Sequence, residues 1–484
     1  MRDLLNQRRR VATRSVAAAF CAAAVLSCGG GDTSSPGPTQ IVAQPQNQTV
    51  AAGSAATFSV QLAGQAPAGI FWTKGGVSIP GSTALTYTTP PTVPSDDGLT
   101  FGVRLVVQDA GGIPRFIDSG MATLTVTPAV PAVAGTFKAA GSLVRARSGH
   151  TATLLPSGKV LIVGGQQPGG PPTAAVGTSA EVYDPTTDTF TVVGSISGSR
   201  SGHTATLLDN GKVLLCGGVD ASSLNEGRAD AEIYDPATGA STATGPMGTR
   251  RSGHAAVLLS SGKVLIAGGH FGNAALSAEL FDPATGTFSP TSSMVHYRYG
   301  AAGVLLADGN ALIFGYDDRG DLYDPLKAAF AATGSSQVAG GRWLGPAMAL
   351  LADGRVLVVG GKEQGPPPSN LALVGTAHLF DPATSGFILT GALIWPRAGN
   401  TATRLTDGRV LVFGGEGDGR WPERGELYDP RAGSFAATVS AGAGRVGHTA
   451  TLLQSGKVLI AGGQAGTSQV ATSSAASSLL FDPM

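Results

Sequence analysis

Arginine and histidine recur together in a string that this chain repeats along most of its length. The string reads RSGHTATLLPSGKVLIVGG at 147–165, RSGHTATLLDNGKVLLCGG at 200–218 and RVGHTATLLQSGKVLIAGG at 445–463. Guanidinium groups form forked hydrogen bonds with carboxylates and phosphates, and imidazoles bind transition metals. If the repeats close into a ring, these side chains gather near one axis. Anion binding and metal binding are then the two chemistries to weigh.

The arginines stand two residues before a glycine at the start of each repeat. They are Arg147, Arg200, Arg251, Arg298, Arg397 and Arg445, whereas the fifth repeat reads Arg342-Trp343. One interpretation is a ring of cations at the mouth of a central channel, where an acidic ligand binds. The alternative is structural pairing with acids that recur two positions before the aromatic of a second signature, namely Glu181, Glu232, Glu279, Asp321 and Glu426. The matched repetition of both charges favours pairing.

The histidines occupy one position in four consecutive repeats, if the last repeat is counted next to the first. They are His150, His203, His254 and His448, and the other repeats carry Ala301, Pro346 and Asn400 there. Four imidazoles near one axis fit a metal. A residue copied with its repeat is more often a packing or hydrogen-bonding element, so we predict no metal.

The fourth repeat departs from the pattern and concentrates aromatic and cationic side chains. It reads MVHYRYGAAGVLLADGNALIFGYDDRGDLYDP, and GGRWLG follows at the start of the fifth. Aromatic faces beside arginine suit recognition of a sugar or a peptide. The alternative is a degenerate repeat that fills its space with larger side chains. The candidate ligand-binding residues are His296, Tyr297, Arg298, Tyr299, Tyr316, Arg319, Arg342 and Trp343.

Each repeat is built from two strand signatures. The first ends in a glycine pair, at 164–165, 217–218, 268–269, 360–361, 414–415 and 462–463, with Gly315-Tyr316 in the fourth repeat. The second is Tyr or Phe followed by Asp-Pro, starting at residues 183, 234, 281, 323, 380, 428 and 481. Dipeptides such as Ser157-Gly158 and Asn210-Gly211 separate two apolar runs and supply the positive φ that a two-residue hairpin needs. The spacing of the copies is that of four-stranded propeller blades.

The ends of the repeat region predict how the ring closes. The last repeat stops at Phe481-Asp-Pro, before its fourth strand, and a spare copy of that strand begins at Gly135-Thr136-Phe137. We therefore predict an all-β fold in which residues 135–484 form a seven-bladed β-propeller whose last blade is completed by an N-terminal strand.

The glycine pair, the Tyr/Phe-Asp-Pro signature and the Arg-x-Gly start resemble kelch repeats of the bacterial galactose-oxidase-like kind. In kelch propellers that capture acidic peptides, arginines at this position line the mouth, so the resemblance implies a possible anion-binding ring. Galactose oxidases themselves use two Tyr, two His and a Cys cross-linked to one Tyr. This chain has Gly-His where their ligands stand, and Cys216 lies at a strand end. We predict no copper, no other cofactor and no catalytic residue.

The N-terminal segment has the pattern of an export signal. Residues 1–27 join a basic start to a short apolar run, and Val25-Leu26-Ser27-Cys28 resembles a bacterial lipobox. The resemblance implies lipidation of Cys28, the flexible tether 28–40 and retention at the outer membrane or cell surface. The alternative is an ordinary signal peptide with an incidental cysteine.

Residues 41–128 alternate apolar and polar positions between turn clusters, and 129–134 read as a stiff linker. Stretches such as ATFSV, GIFWTKGG and MATLTV resemble a bacterial immunoglobulin-like β-sandwich, with Trp72 in the place of that family's core tryptophan. The paired cysteines of the family are absent. The resemblance implies a spacer or an adhesive module.

Charge and composition limit the functions that the whole chain can have. Lys plus Arg equals Asp plus Glu, 32 each, so no basic surplus draws the chain to nucleic acid. We expect a lipid-anchored envelope protein whose propeller binds a glycan or a protein ligand at its loop face without catalysis. The alternatives are a carbohydrate-active enzyme of the galactose-oxidase-like class and a passive envelope scaffold.

Overall fold

The computed structural model describes most of the chain after residue 36. The described residues are 37–51, 55–90, 92, 96–109, 112–127, 135–167, 174–220, 223–270, 273–336, 343–364, 371–417, 421–466, 473–474 and 476–483. The export signal, Cys28, the linker 129–134 and Arg342 lie outside them. The chain divides into an N-terminal unit, Met1–Thr127, and a C-terminal unit, Pro128–Met484.

The N-terminal unit consists of short strands around an aromatic core. Its strands are β1 (Gln40–Ala43), β2 (Gln48–Ala51), β3 (Thr57–Ser59), β4 (Gln61–Ala63), β5 (Gly69–Lys74), β6 (Val77–Ser78), β7 (Thr86–Thr88), β8 (Thr100–Gln108), β9 (Pro114–Asp118) and β10 (Ala122–Thr127). The largest sheet has the order β2-β10-β8-β5-β6, with β9 also paired to β8, and β1-β4 and β3-β7 form two further pairs. Trp72 is fully buried beside Phe58 and Phe101, because alternate residues of these strands face the core.

The described residues of the C-terminal unit form seven four-stranded antiparallel sheets, numbered after their repeats. Sheets one to four are β12–β15 (Thr151–Leu154, Val160–Val163, Ser179–Asp184, Thr189–Ser195), β16-β17-β20-β21 (Thr204–Leu207, Val213–Cys216, Ala231–Asp235, Ala240–Ala243), β22–β25 (Ala255–Leu258, Val264–Ala267, Ala278–Asp282, Thr287–Pro290) and β26–β29 (Ala302–Leu305, Ala311–Phe314, Arg319–Asp324, Ala329–Ser335). Sheets five and six are β31-β32-β35-β36 (Ala347–Leu350, Val356–Val359, Thr376–Asp381, Gly386–Ala392) and β37–β40 (Thr401–Arg404, Val410–Phe413, Arg424–Asp429, Ser434–Ser440).

Sheet seven takes its fourth strand from the start of the unit. It has the order β42-β43-β46-β11, with β11 at Thr136–Ala140, β42 at Thr449–Leu452, β43 at Val458–Ala461 and β46 at Ser478–Asp482. Phe137 lies opposite Phe481 in this pairing, and their ring centroids are 4.9 Å apart. The strand that the sequence reserves for closure therefore occupies the open edge of the last sheet.

Smaller elements lie in the loops between the strands of these sheets. They are helix α1 (Ala174–Gly177), the hairpin β18-β19 (Val219–Asp220, Ser223–Gly227) and two three-stranded sheets, β30-β33-β34 (Trp343–Leu344, Lys362–Gln364, Leu371–Leu373) and β41-β44-β45 (Gly444–Val446, Gln464–Gly466, Ser473–Ser474).

Backbone hydrogen bonds join the seven sheets into a closed ring. The N–H at the second position of each glycine pair donates to the carbonyl at the arginine position of the next repeat, at 2.7–2.9 Å. The donor–acceptor pairs are 165–200, 218–251, 269–298, 316–343, 361–397, 415–445 and 463–147. The second strand of every sheet is buried along its whole length, as expected for sheets packed face to face with their neighbours. The all-β prediction is confirmed, and the ring is the arrangement of a β-propeller.

Candidate functional site

The six repeat arginines are almost completely buried and are held by their own sheets. Their exposed fraction is 0% in five cases and 3% for Arg445. Each Nη1 donates to the carbonyl of the first glycine of its glycine pair, seventeen residues further on, at 2.8–3.2 Å. A fixed backbone acceptor thus positions every guanidinium in the same way.

Five of the six arginines also pair with the acid on the third strand of the same sheet. The pairs are Arg147–Glu181, Arg200–Glu232, Arg251–Glu279, Arg298–Asp321 and Arg397–Glu426. The same carboxylates accept backbone N–H groups from the segment just before the arginine, such as Ile394 and Trp395 on Glu426, at 2.7 and 3.2 Å. With no exposed surface and an internal counter-ion, these five guanidinium groups fit the pairing interpretation rather than an open ring of cations.

The fifth repeat replaces the ion pair by a neutral aromatic pair. Trp343, not Arg342, takes the place of the arginine, because its Nε1 donates to the carbonyl of Gly360, again seventeen residues further on. His378 stands where the other repeats have the acid and lies edge-on to the Trp343 ring, 5.2 Å between centroids. Burial lowers the pKa of His378, so this pair carries no charge at neutral pH.

The seventh repeat keeps the arginine without an acid. Leu479 pairs with Ile460, as Glu181 pairs with Ile162 in sheet one. Among the described residues no carboxylate forms an ion pair with Arg445. Burial lowers the pKa of its guanidinium to about 10.

The repeat histidines link neighbouring sheets. The Nε2 atoms of His150, His203, His254 and His448 lie 2.8–3.2 Å from threonine hydroxyls of the preceding sheet, on Thr449, Thr151, Thr204 and Thr401 respectively. Burial is the main reason why their pKa values are low, falling to about 3 for His150, His254 and His448. The imidazoles are therefore neutral side chains at the contacts between neighbouring sheets, which we call seams.

The residue that faces the histidine position from the neighbouring sheet depends on whether that position holds a histidine. Where the next repeat has Ala301, Pro346 or Asn400, the threonine position holds Ala255, Ala302 or Ala347. Four seams thus carry a His–Thr hydrogen bond and three are apolar on the threonine side. Each repeat histidine faces a threonine of the neighbouring sheet and is hydrogen-bonded to it. This fits a packing and hydrogen-bonding role, which is the interpretation that the sequence favoured. Within the described ranges no group of three His, Cys, Asp or Glu side chains can hold a metal ion.

The irregular residues of repeats four and five separate into a buried and an accessible set. Arg298 and Trp343 occupy the arginine position and are buried. His296 lies against Asp321, with Nδ1 at 3.2 Å from Oδ1. Arg319 is exposed at the start of β28.

Three tyrosines and one histidine come together where sheets three and four meet, and we call them the aromatic cluster: His270, Tyr297, Tyr299 and Tyr316. The Tyr299 ring lies 4.6 Å from Tyr316, 5.5 Å from His270 and 6.3 Å from Tyr297, with the last pair parallel to within 1°. Tyr297 is 54% exposed, and Tyr299 and Tyr316 are half-buried. The sequence interpretation left His270 out, although it directly follows a glycine pair.

Tyr316 occupies a backbone position that the other repeats give to glycine. Its φ is 73°, and the second glycines of the other six pairs have φ between 88° and 108°. Its N–H keeps the ring hydrogen bond to the carbonyl of Trp343 at 2.7 Å. A bulky residue in the left-handed region costs of order 1–3 kcal/mol and is retained where the surroundings or the function require it.

The strain at Tyr316 predicts a difference between two small replacements. Tyr316→Gly and Tyr316→Ala both remove the ring, but only glycine accepts positive φ without strain. We expect the glycine variant to be more stable than the alanine variant by about 1 kcal/mol. Urea unfolding of the two proteins measures the difference, and equal midpoints would show that the backbone here is unstrained.

Comparison with known proteins defines the fold. No protein-family model matches the chain, and no curated protein sequence is significantly similar to it. A solved structure described as a novel fungal alcohol oxidase with catalytic diversity among the AA5 family, in complex with copper, aligns with 72% of this chain and 76% of its own, at 16% identity and a TM-score of 0.60. The structure of YjhT aligns with 61% of this chain and 99% of its own, at 16% identity and a TM-score of 0.48.

At 16% identity the first similarity shows the fold alone. That fold is the kelch, galactose-oxidase-like β-propeller, in agreement with the resemblance of the repeats. No helix in the described part of the chain is long and apolar enough to cross a membrane.

Proposed function

We propose that the C-terminal unit is a seven-bladed kelch propeller that binds a glycan or a protein ligand at its loop face without catalysis. The observation that carries the proposal is the aromatic cluster. Tyr299 and Tyr316 stand where the first repeat has Ser148 and Gly165. A Cβ atom added at Gly165 would lie 2.8 Å from the carbonyl oxygen of Ser148, so the position tolerates a side chain only where the neighbours change.

The geometry of the cluster suits a flat or amphipathic ligand. Tyr297 presents an exposed ring parallel to that of Tyr299. Aromatic faces stack on the apolar face of a sugar ring or on a peptide side chain, and tyrosine hydroxyl groups add hydrogen bonds. Arg319 supplies an exposed cation on the same repeat. Backbone strain such as that at Tyr316 is often found at binding sites.

An enzyme of the galactose-oxidase-like class is the second candidate, because the fold is shared with a copper-bound alcohol oxidase. The described residues do not fit a copper centre of the type that uses a cross-linked cysteine. Cys216 is fully buried in β17, and burial raises the pKa of its thiol to about 12. No reaction step is therefore assigned. A passive scaffold is the third candidate function, and it applies if the propeller binds no ligand.

For the remainder of the chain, the proposal follows the sequence. Lipidation of Cys28 would anchor the protein at the outer membrane or cell surface, and the membrane would be contacted only through that anchor. The N-terminal unit would be an immunoglobulin-like spacer between anchor and propeller. Its strand order and its buried Trp72 support this assignment.

Binding to arrayed glycans and peptides tests the proposed function. We expect the purified chain to bind a defined ligand and Tyr297→Ala or Tyr299→Ala to weaken binding at least about tenfold, as for a central aromatic contact. Tyr87→Ala, in the N-terminal unit, is the matched control and should bind like the wild type. Ligand binding that survives both cluster substitutions would move the site elsewhere. Absence of any ligand would favour the scaffold, and copper-dependent turnover would favour the enzyme.

A further inference from the structure

The seventh repeat has an arginine in a site built for an ion pair, but it lacks the acid. In the five complete repeats, the guanidinium and backbone N–H groups of the preceding segment together hold one carboxylate. In sheet three, for example, Glu279 accepts from Arg251 Nη2 at 2.6 Å and from the N–H groups of Gly248 and Thr249 at 2.7 and 3.2 Å. The arrangement is a carboxylate-binding site, and in the complete repeats a Glu or Asp of the same sheet occupies it. We call this site the receptor.

Most of this receptor is preserved around Arg445. Its Nη1 donates to the carbonyls of Gly462 and Ser477 at 3.2 and 3.0 Å. Arg147 and Arg251 make the matching bonds to Gly164 and Ser179 and to Gly268 and Ser277. The guanidinium therefore points in the same direction in repeat seven as in the complete repeats.

The side of the Arg445 guanidinium that binds an acid in the complete repeats has few hydrogen-bond acceptors. Arg445 Nη2, the atom that binds the glutamate in the complete repeats, has one long contact, 3.5 Å to Ser477 Oγ. Arg445 is nevertheless 97% buried. A buried cation without a counter-ion is unfavourable, and a carboxylate with a forked hydrogen bond is the partner that best matches a guanidinium.

In sheet seven the half-buried Leu479 takes the acid position, and residues near it are open to solvent. Ser477 is exposed, and Gly442, which corresponds to Gly248 of repeat three, is exposed as well. The Gly442 N–H donates to Ser440 Oγ at 3.0 Å. Ala443, the counterpart of Thr249, is half-buried at the same edge. Ser477 and Gly442 therefore mark the side from which a small ligand would reach the guanidinium.

We propose that Arg445 and Ser477 form a binding site for a carboxylate group, which replaces the acid missing from the seventh repeat. The near-complete burial of the guanidinium limits the occupant to a small carboxylate, such as formate or acetate, or to the tip of an acidic side chain. The site is separate from the aromatic cluster and does not depend on the proposed function.

Thermal unfolding in the presence of acetate tests this site. The unfolding midpoint of the whole chain is measured against acetate concentration at constant ionic strength, with chloride as the replacing anion. Because a ligand that binds only the folded state stabilises it by mass action, the wild-type midpoint should rise steadily once acetate exceeds its dissociation constant. A midpoint that does not depend on acetate would overturn the proposal.

Leu479→Glu is the matched variant, since it restores the acid found in the complete repeats. We expect this protein to unfold at a higher temperature than the wild type without acetate, and to lose the acetate response. Arg445→Met, which removes the cation, should also lose the response and serves if the glutamate variant does not fold. An acetate response that persists in either variant would show that acetate acts elsewhere.

A peptide arm identifies the source of the carboxylate. Blocked Gly-Glu-Gly, in which only the side chain is acidic, replaces acetate in the same titration. A midpoint that rises with acetate alone supports a small free carboxylate, and one that rises with both supports an acidic side chain of a partner. Blocked Gly-Gln-Gly is the control, and stabilisation by this neutral peptide at equal concentration would count against carboxylate recognition.

Discussion

Replacement of Glu426 by alanine is expected to lower the free energy of unfolding of the propeller by about 3–5 kcal/mol, the range for breaking a buried ion pair by removing one partner. Arg397 and Glu426 both have 0% side-chain exposure and are 2.7 Å apart. Removal of the carboxylate leaves the guanidinium without its counter-ion, and the N–H groups of Ile394 and Trp395 lose their acceptor. Urea unfolding followed by intrinsic tryptophan fluorescence measures the loss.

The chain itself provides the control for this prediction. In the fifth repeat, Trp343 and His378 fill the same two positions without charge. The double substitution Arg397→Trp with Glu426→His copies that solution, and we expect it to be less destabilising than Glu426→Ala alone. Lys212→Gln, which removes a half-exposed cation paired with Asp235, should have little effect. A loss with Glu426→Ala as small as that with Lys212→Gln would show that the buried pair contributes nothing specific.

The second large effect is a loss of stability in mild acid. The four repeat histidines are neutral in the folded protein because burial lowers their pKa, to about 3 in three of them. In the unfolded chain the pKa of histidine is about 6.5, so below that pH the unfolded state binds more protons than the folded state. The free energy of unfolding therefore falls as pH decreases from about 6.5 towards 3. The four repeat histidines give a limiting slope of about 5 kcal/mol per pH unit, and His378, whose pKa is also lowered by burial, adds to it.

Between pH 6.5 and about 4.5 the histidines dominate the slope, and the carboxyl of Glu426, whose pKa is raised by burial, opposes it. Below this range, carboxylates whose pKa is lowered in the folded state, such as those of Asp235 and Asp282, add a loss of the same sign. Urea unfolding at several pH values within this range gives the slope. The variant His203→Ala with Thr151→Ala copies the apolar seam of Ala301 and Ala255, and it should reduce the slope by the contribution of one histidine, about 1.4 kcal/mol per pH unit. His270→Asn leaves every seam intact and serves as the control. A wild-type slope near zero would contradict neutral buried histidines.

Several features of the fold can be predicted from the sequence because the same residue patterns recur in each repeat. The glycine pairs, the Tyr/Phe-Asp-Pro signature and the turn dipeptides identify the strands, and the spare strand at Phe137 indicates the partner of β46. The pairing of arginines with acids also follows, since both charges recur at fixed positions. The threonine–histidine seams have a signal that appears only when consecutive repeats are compared: each of the four histidines follows a repeat with threonine directly after its own histidine position, and each replacement follows a repeat with alanine there.

The irregular site is harder to predict, because it depends on contacts between repeats rather than on any one of them. Trp343 stands two residues before its glycine, where the other repeats have arginine, but the sequence does not indicate that its Nε1 replaces the guanidinium as donor to Gly360. Nothing in the order of residues indicates that Tyr316 takes positive φ, since tyrosine seldom does. His270 meets Tyr299 only because sheets three and four are adjacent in the ring.

The closing pair of strands also orders events during synthesis. β11 is the first propeller strand to leave the ribosome, and β46 is the last of the described strands. Between these two moments the nascent chain carries an unpaired edge at β11, and the sheet that seals the ring cannot form. Growth of the polypeptide and completion of the ring are therefore coupled: a chain that is interrupted before β46 presents an open edge, which proteases and other strands can recognise.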